Sequence, residues 1–225
     1  MTYDFAEDGF CVVRALCDPA PIAREVESYQ TLGLTGRSIN WTAGSLHSIH
    51  GLYGPFFDTL LAQMAGRAGA LLGEDAVPRA AELFAKPAGV GLPSPWHQDN
   101  AYWCLEPAIG LTIWIALDAC DATNGGLTYL VGSHLGGLFA HQPSHAPGSS
   151  QTVADLPHLD HVTVALEPGD ALVHHCLTIH GSAANTSGTA RRGVTLQYEG
   201  VSARVDLAQQ LAYEASLDEQ IKGRA

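Results

Sequence analysis

A chain of 225 residues with 46% hydrophobic side chains can bury a sizeable core and reads as one domain, 1–225, because closed β folds of this size often run undivided. Its 11 Lys and Arg against 23 Asp and Glu give a net charge of −12, which argues against a nucleic-acid partner but not against a small anion in a local pocket. Cys11, Cys17, Cys104, Cys120 and Cys176 are odd in number and form no CxxC pair, so they read as reduced thiols of a cytoplasmic protein. The opening MTYDFAEDGF lacks a secretion signal and no stretch approaches 18 uninterrupted apolar residues, so neither export nor a membrane span is expected.

In chain order, residues 3–8 predict a short helix and 9–16 a strand in which Phe10, Val12 and Arg14 alternate with Cys11 and Val13. Asp18 and Pro19 open a helix striped by Ile22, Val26 and Tyr29 and closed by Gly33. Residues 36–54 are irregular, with Trp41, His47, His50 and Tyr53 among turn formers. The stretch 55–72 repeats Phe57, Leu60, Leu61, Met64, Ala68 and Leu71 at helical spacing and stops at Gly73, which predicts a helix on the outside of a sheet.

Beyond Ala80 the period changes to that of strands. Short runs at 80–85, 96–103, 110–117, 127–130, 162–166, 171–176 and 193–200 are separated by Gly, Pro, Asn and Asp. Their number and spacing predict a mainly β fold with flanking helices, its antiparallel double sheet of jelly-roll type spanning about 80–202. The glycines of 124–137 are turn chemistry, since no phosphate-cradle pattern is present. The Gly-, Ser-, Pro- and His-rich segment 136–160 is expected to be a long loop serving as a lid. A final helix, 206–221, carries Leu207, Leu211 and Leu217 on one side.

Two stretches carry chemistry. In an extended strand, His97 and Asp99 project from one face, roughly 6–7 Å apart along the chain, close enough to share an ion. Two imidazoles and one carboxylate make the facial set of non-haem Fe(II) oxygenases, with positions left open for reactants. His180 and His174 compete for the third place, being six residues apart on one face of an uninterrupted strand. His180 is favoured by Arg191, eleven positions further on: the span between them includes Gly181, Asn185, Ser187 and Gly188, which let the chain reverse and return a guanidinium, the best carboxylate partner, to its side.

The strings PWHQDNAYW (95–103), TIWIALD (112–118), NGGLTYLVGSH (124–134), PGDALVHHCLTIHGSAANTS (168–187) and RRGVTLQY (191–198), with Lys86-Pro87 ahead of them, resemble the phytanoyl-CoA dioxygenase family of Fe(II)- and 2-oxoglutarate-dependent oxygenases. The resemblance is strong from about 80 to 200 and loose before that. It implies iron held by His97, Asp99 and His180, with 2-oxoglutarate and O2 as cosubstrates. It also implies a 2-oxoglutarate carboxylate held by Arg191 and Ser182, and Gln98, Trp114 and His141 lining or contacting that cosubstrate, although Trp114 reads equally well as a core aromatic. Retention of Asp99, where related halogenases carry a small residue, implies hydroxylation of an unactivated C–H bond, or another oxidation such as desaturation or ring chemistry, over chlorination, with release of succinate and CO2. Family substrates are small molecules, some CoA- or carrier-linked. A non-oxygenase metal protein of cupin type and a non-catalytic binding module remain open uses of the same scaffold.

Overall fold

The computed structural model describes residues 2–31, 51–89, 91–144, 146 and 149–223. Trp41, His47, His50 and His145, and the expected helix stop at Gly33, lie outside them. Helix α1 (Phe5–Asp8) leads into strand β1 (Phe10–Val13), and helices α2 (Pro19–Thr31) and α3 (Pro55–Leu72) follow. Helix α3 has the predicted bounds for local reasons. Pro55 occupies its first turn, Phe57, Leu60, Leu61 and Ala68 form its buried side, and Gly73 closes it in the left-handed region (φ 78°) with its N–H on the Gly69 carbonyl.

The strands that follow are β2 (Ala76–Lys86), β3 (Ser94–His97), β4 (Leu105–Glu106), β5 (Gly110–Ala116), β6 (Leu127–Leu130), β7 (His141–Pro143), β8 (Gln151–Val153), β9 (His161–Thr163), β10 (Ala171–His175), β11 (His180–Ser182), β12 (Arg191–Gly200) and β13 (Arg204–Val205). A four-residue helix α4 (Asn100–Trp103) sits between β3 and β4, and α5 (Leu207–Lys222) ends the described chain. One sheet has the order β1-β10-β5-β12-β2 and the second β3-β11-β6-β9, all neighbours antiparallel. This is the predicted double-stranded β-helix, mainly β with flanking helices.

Alternation within the five-stranded sheet decides what faces the site. Leu111, Ile113 and Ile115 of β5, Ala171 and Val173 of β10, and Val194, Leu196 and Tyr198 of β12 join one apolar core with residues of α2 and α3. The Tyr198 hydroxyl donates to the Leu61 carbonyl of α3 at 2.8 Å, so even the polar tip of that core ring is partnered. The intervening residues Thr112, Trp114, His174, Arg191, Thr195 and Gln197 line a cavity between the two sheets. A one-residue slip would exchange the core for the site.

Two expectations need correction, and the docking of the last helix is a further finding. Residues 96–103 are not one strand: β3 stops at His97, and Asp99 (φ −57°, ψ −36°) already has helical torsions at the entry to α4. Asn100 is responsible, because its buried amide bridges the N–H and carbonyl of Leu105 while its own N–H donates to the Cys176 carbonyl. Aromatic-rich NAYW has strand-like composition, and this local closure overrides it. The segment 136–160 is not structureless: β7 and β8 pair as a ribbon, with the Thr152 hydroxyl on the Trp96 carbonyl. On α5, Leu207 and Leu211 are 68% and 66% exposed; the helix docks instead through Tyr213, hydroxyl to hydroxyl with Ser150, and Gln220, which donates to the Ser150 carbonyl.

Candidate active site

The antiparallel register of β11 against β3 sets His180 opposite His97, and their rings lie 4.3 Å apart between centroids. Asp99 reaches the same place by the turn out of β3, not by strand alternation. One oxygen, Oδ1, is 3.8 Å from His97 Nε2 and 3.7 Å from His180 Nε2, and the candidate ligand atoms all fall within 4.8 Å of one another. A single metal ion at ordinary bond lengths fits such a triangle.

Hydrogen bonds aim these atoms. His97 Nδ1 lies 2.8 Å from the Pro95 carbonyl and His180 Nδ1 lies 3.0 Å from the Thr178 carbonyl. A carbonyl only accepts, so each Nδ1 carries the proton and each Nε2 turns a lone pair inward. Burial lowers the pKa of both imidazoles, which favours the neutral, ligating form. For Asp99, burial pushes the pKa up, but His180, His174 and His97 outweigh it and hold the carboxyl well below the usual carboxylate range. Asp99 is therefore an anion at every ordinary pH.

His174, the rival third ligand, is otherwise engaged. Its Nε2 lies 3.1 Å from Asp99 Oδ2 and its Nδ1 2.9 Å from the Tyr129 hydroxyl. The ionised carboxylate can only accept, so His174 Nε2 holds a proton, and Nδ1 is spent on the Tyr129 hydroxyl. No lone pair of His174 is left to face the triangle.

The far end of the cavity is cationic. Arg191 is 2% exposed, donates through Nε and Nη2 to the Gly125 carbonyl, and rests its guanidinium carbon 5.3 Å from the Trp114 ring centroid. Trp114 thus lines the site as well as filling space, and Gly193 makes room for it: a Cβ there would lie 2.0 Å from its Cζ2. Arg191 forms no ion pair with a carboxylate among the described residues, whereas neighbouring Arg192 turns to the other face and pairs with Asp118 and Glu27. Ser182, two residues beyond His180, lines the same cavity with a buried hydroxyl that finds no hydrogen-bond partner among the described residues. The buried hydroxyl and unpaired guanidinium fit a carboxylate, and the inward-facing lone pairs with the Asp99 anion fit a divalent cation.

Two expected cosubstrate residues have other work. The Gln98 amide donates to the carbonyls of Gly137 and Leu177 and accepts from the Phe139 N–H, and both nitrogens of His141 are taken by the backbone of Gln98 and Phe139. Neither is among the residues lining the cavity; together they fasten the 136–143 segment to the end of β3. Lys86, Thr112 and Tyr129 went unnoticed as site residues. Lys86 is the cross-strand partner of Arg191, 2% exposed, with its ammonium nitrogen on the carbonyls of Ser182 and Ala183. A lysine inside a buried strand was the available signal.

A double-stranded β-helix with two imidazoles and a carboxylate gathered between its sheets defines a jelly-roll protein with a facial three-donor metal site. The family model "Phytanoyl-CoA dioxygenase (PhyH)" matches residues 5–193, and the chain belongs to that family. It is 32% identical over 110 residues to a probable phytanoyl-CoA dioxygenase of Caenorhabditis elegans, covering 46% of this chain and 35% of that protein. It is 30% identical over 138 residues to a probable alpha-ketoglutarate-dependent hypophosphite dioxygenase of Stutzerimonas stutzeri, covering 59% and 48%. The chain thus spans about a third to a half of the length of these curated relatives. Among solved structures, EvdO2 from Micromonospora carbonacea var. aurantiaca complexed with 2-oxoglutarate shares the fold, with a TM-score of 0.71, 24% identity, and 89% of each chain covered. No helix among the described residues is long and apolar enough to cross a membrane.

Proposed function

We propose that this chain is an Fe(II)- and 2-oxoglutarate-dependent dioxygenase that hydroxylates a C–H bond of a small molecule. The observation that carries this reading is the pairing, within one cavity, of the His97–Asp99–His180 triangle with a buried Arg191 lacking any carboxylate partner among the described residues. His97, Asp99 and His180 are the ligands. Arg191 and Ser182 bind the distal carboxylate of 2-oxoglutarate, and Trp114 walls its side.

Bound iron, the keto acid and O2 supply a two-electron oxidation of substrate coupled to release of succinate and CO2. The chain's part is placement. Asp99 brings one negative charge to the metal while the two neutral imidazoles bring none, so the centre keeps a net positive charge that attracts an anionic chelator. Arg191, held by the Gly125 carbonyl and the Trp114 face, would set which way the cosubstrate lies. Apolar Phe84, Leu127 and Trp114 keep water from the bound cosubstrate.

The relatives' names span an acyl-CoA thioester and an inorganic anion, and the substrate proposed here is a small molecule, CoA- or carrier-linked forms included. We place the protein in the cytoplasm, as one domain over 1–225, on the strength of its five free cysteines and the continuity of its sheets. Anaerobic addition of Fe(II) and then 2-oxoglutarate should produce the weak visible charge-transfer band of the chelate, and the matching substrate should stimulate succinate release. Tight zinc binding with no 2-oxoglutarate-dependent oxygen uptake would instead establish a cupin-type metal protein.

A further inference from the structure

Asp99 is gripped on one side only. Its Oδ2 accepts the Thr112 hydroxyl at 2.7 Å and His174 Nε2 at 3.1 Å. Its Oδ1 faces His97 and His180 and has neither donor. The grip is built into the sheet, because His174 of β10 and Thr112 of β5 are cross-strand partners and so point together at one oxygen. His174 is itself fixed from behind by Tyr129, whose buried ring stacks on Phe10 at 4.4 Å between centroids. Two strands thus meet at a single carboxylate oxygen, and two more back the histidine that grips it.

Chemistry limits what that oxygen can then do. A free carboxylate beside a divalent cation can bind through one oxygen or chelate through both. Two charge-assisted hydrogen bonds on Oδ2 occupy its lone pairs in directions away from the triangle, so a swing to chelation must break both. We propose that His174, backed by Tyr129 and joined by Thr112, is a positioning residue that confines Asp99 to one ligating oxygen and keeps the neighbouring coordination position open for reactants. This rests on the metal-centre reading given above and goes beyond it, assigning the outer groups a part in setting the number of exchangeable sites.

The test uses Mn(II) with the full chain, without cosubstrate, so that no turnover is needed. Affinity is read by the electron-spin signal of free Mn(II), and bound water by water-proton relaxation. His174→Leu and Thr112→Val should each weaken Mn(II) binding by about tenfold to a hundredfold, the usual cost of losing an outer-sphere partner. In the double variant the released carboxylate should chelate and displace one of three bound waters, lowering relaxivity by about a third. His174→Gln should restore near-wild-type behaviour, because a glutamine amide can donate to Asp99 and accept from Tyr129 at once.

Unchanged affinity and relaxivity in both single variants would overturn the proposal while leaving the metal centre intact. His174→Gln as damaging as His174→Leu would also overturn it, pointing to the imidazole as a ligand. Failure of the wild-type chain to bind Mn(II) would sink this inference and the function together. Thr112→Val, on a different strand, keeps the test sound if His174→Leu does not fold.

Discussion

The two ends of the cavity are both buried and both polar, yet they are finished differently. At the metal end nearly every polar atom has a protein partner except the three that face one another: His97 and His180 spend Nδ1 on carbonyls, and Asp99 spends Oδ2 on Thr112 and His174. At the Arg191 end the excess runs the other way: all the groups are donors, with the buried amine of Lys86 directly opposite the Arg191 guanidinium across β12 and β2 and a Ser182 hydroxyl beside them that has no partner among the described residues. A second cation beside a buried guanidinium and unpaired buried groups are costly. A fold that tolerates this at one end, and inward lone pairs at the other, is shaped for a cation and an anion side by side. That is the demand of a metal–keto-acid chelate with a distal carboxylate.

The largest expected effect strikes the metal end. Asp99→Ala removes the only anion of the triangle, and Mn(II) or Fe(II) affinity should fall by more than the roughly 100-fold that outer-sphere losses cost, with substrate-coupled succinate formation abolished. Calorimetric titration checks the first and product analysis the second; full turnover in the variant would remove Asp99 from the ligand set. Next comes the anion end. Arg191→Ala should weaken 2-oxoglutarate binding by about 2–5 kcal/mol, about 30-fold to several thousand-fold, while Mn(II) affinity without cosubstrate stays within about threefold of wild type. If both affinities fall together, the two ends are not separable and the contrast drawn between them is wrong.

Lys86 sharpens the contrast through pH. Burial, with Arg191 adding to it, pulls its amine down to about 6. Above that value the folded protein holds a neutral amine, whereas the unfolded chain keeps its proton up to the ordinary lysine range. The unfolded state therefore binds more protons between about pH 6 and pH 10, and this residue makes stability rise with pH across that window, by at most about 1.4 kcal/mol per unit, and level off below it. Lys86→Met should flatten that slope in denaturant titrations of the metal-free protein at pH 6.5 and 9. An unchanged slope would mean the ammonium stays charged in the folded state.

What the sequence disclosed, and what it hid, follows the same physics. His97, Asp99, His180 and Arg191 were legible because ligand chemistry restricts residue type and because turn formers between His180 and Arg191 allow the chain to return. The core-facing residues of β5, β10 and β12 were legible from alternation. The route by which Asp99 meets His97 was not, since Asn100 closes a helical turn through contacts with Leu105 and Cys176 that no periodicity records. The backbone hydrogen bonds of Gln98 and His141 were not legible for a related reason: a polar side chain beside a ligand reads alike whether it faces the cosubstrate or a backbone carbonyl. The docking side of the last helix was not legible either, since Leu207 and Leu211 stay exposed and the helix is held through Tyr213 and Gln220.

The smallest expected effect is the most discriminating, because its two readouts move in opposite directions. The Ser182 hydroxyl is buried without a partner among the described residues, a state that costs about 1–3 kcal/mol of desolvation, while a hydrogen bond to a carboxylate returns about 1.5–3 kcal/mol. Ser182→Ala should therefore leave the metal-free protein as stable as wild type or about 1 kcal/mol more stable, and should weaken 2-oxoglutarate binding by about tenfold. Thermal unfolding and calorimetric titration on the same preparation read the two effects. A variant that melts earlier but binds 2-oxoglutarate normally would make Ser182 a packing residue. The cationic end would then rest on Arg191 alone, with no neighbouring hydroxyl to fix the orientation of the carboxylate it binds.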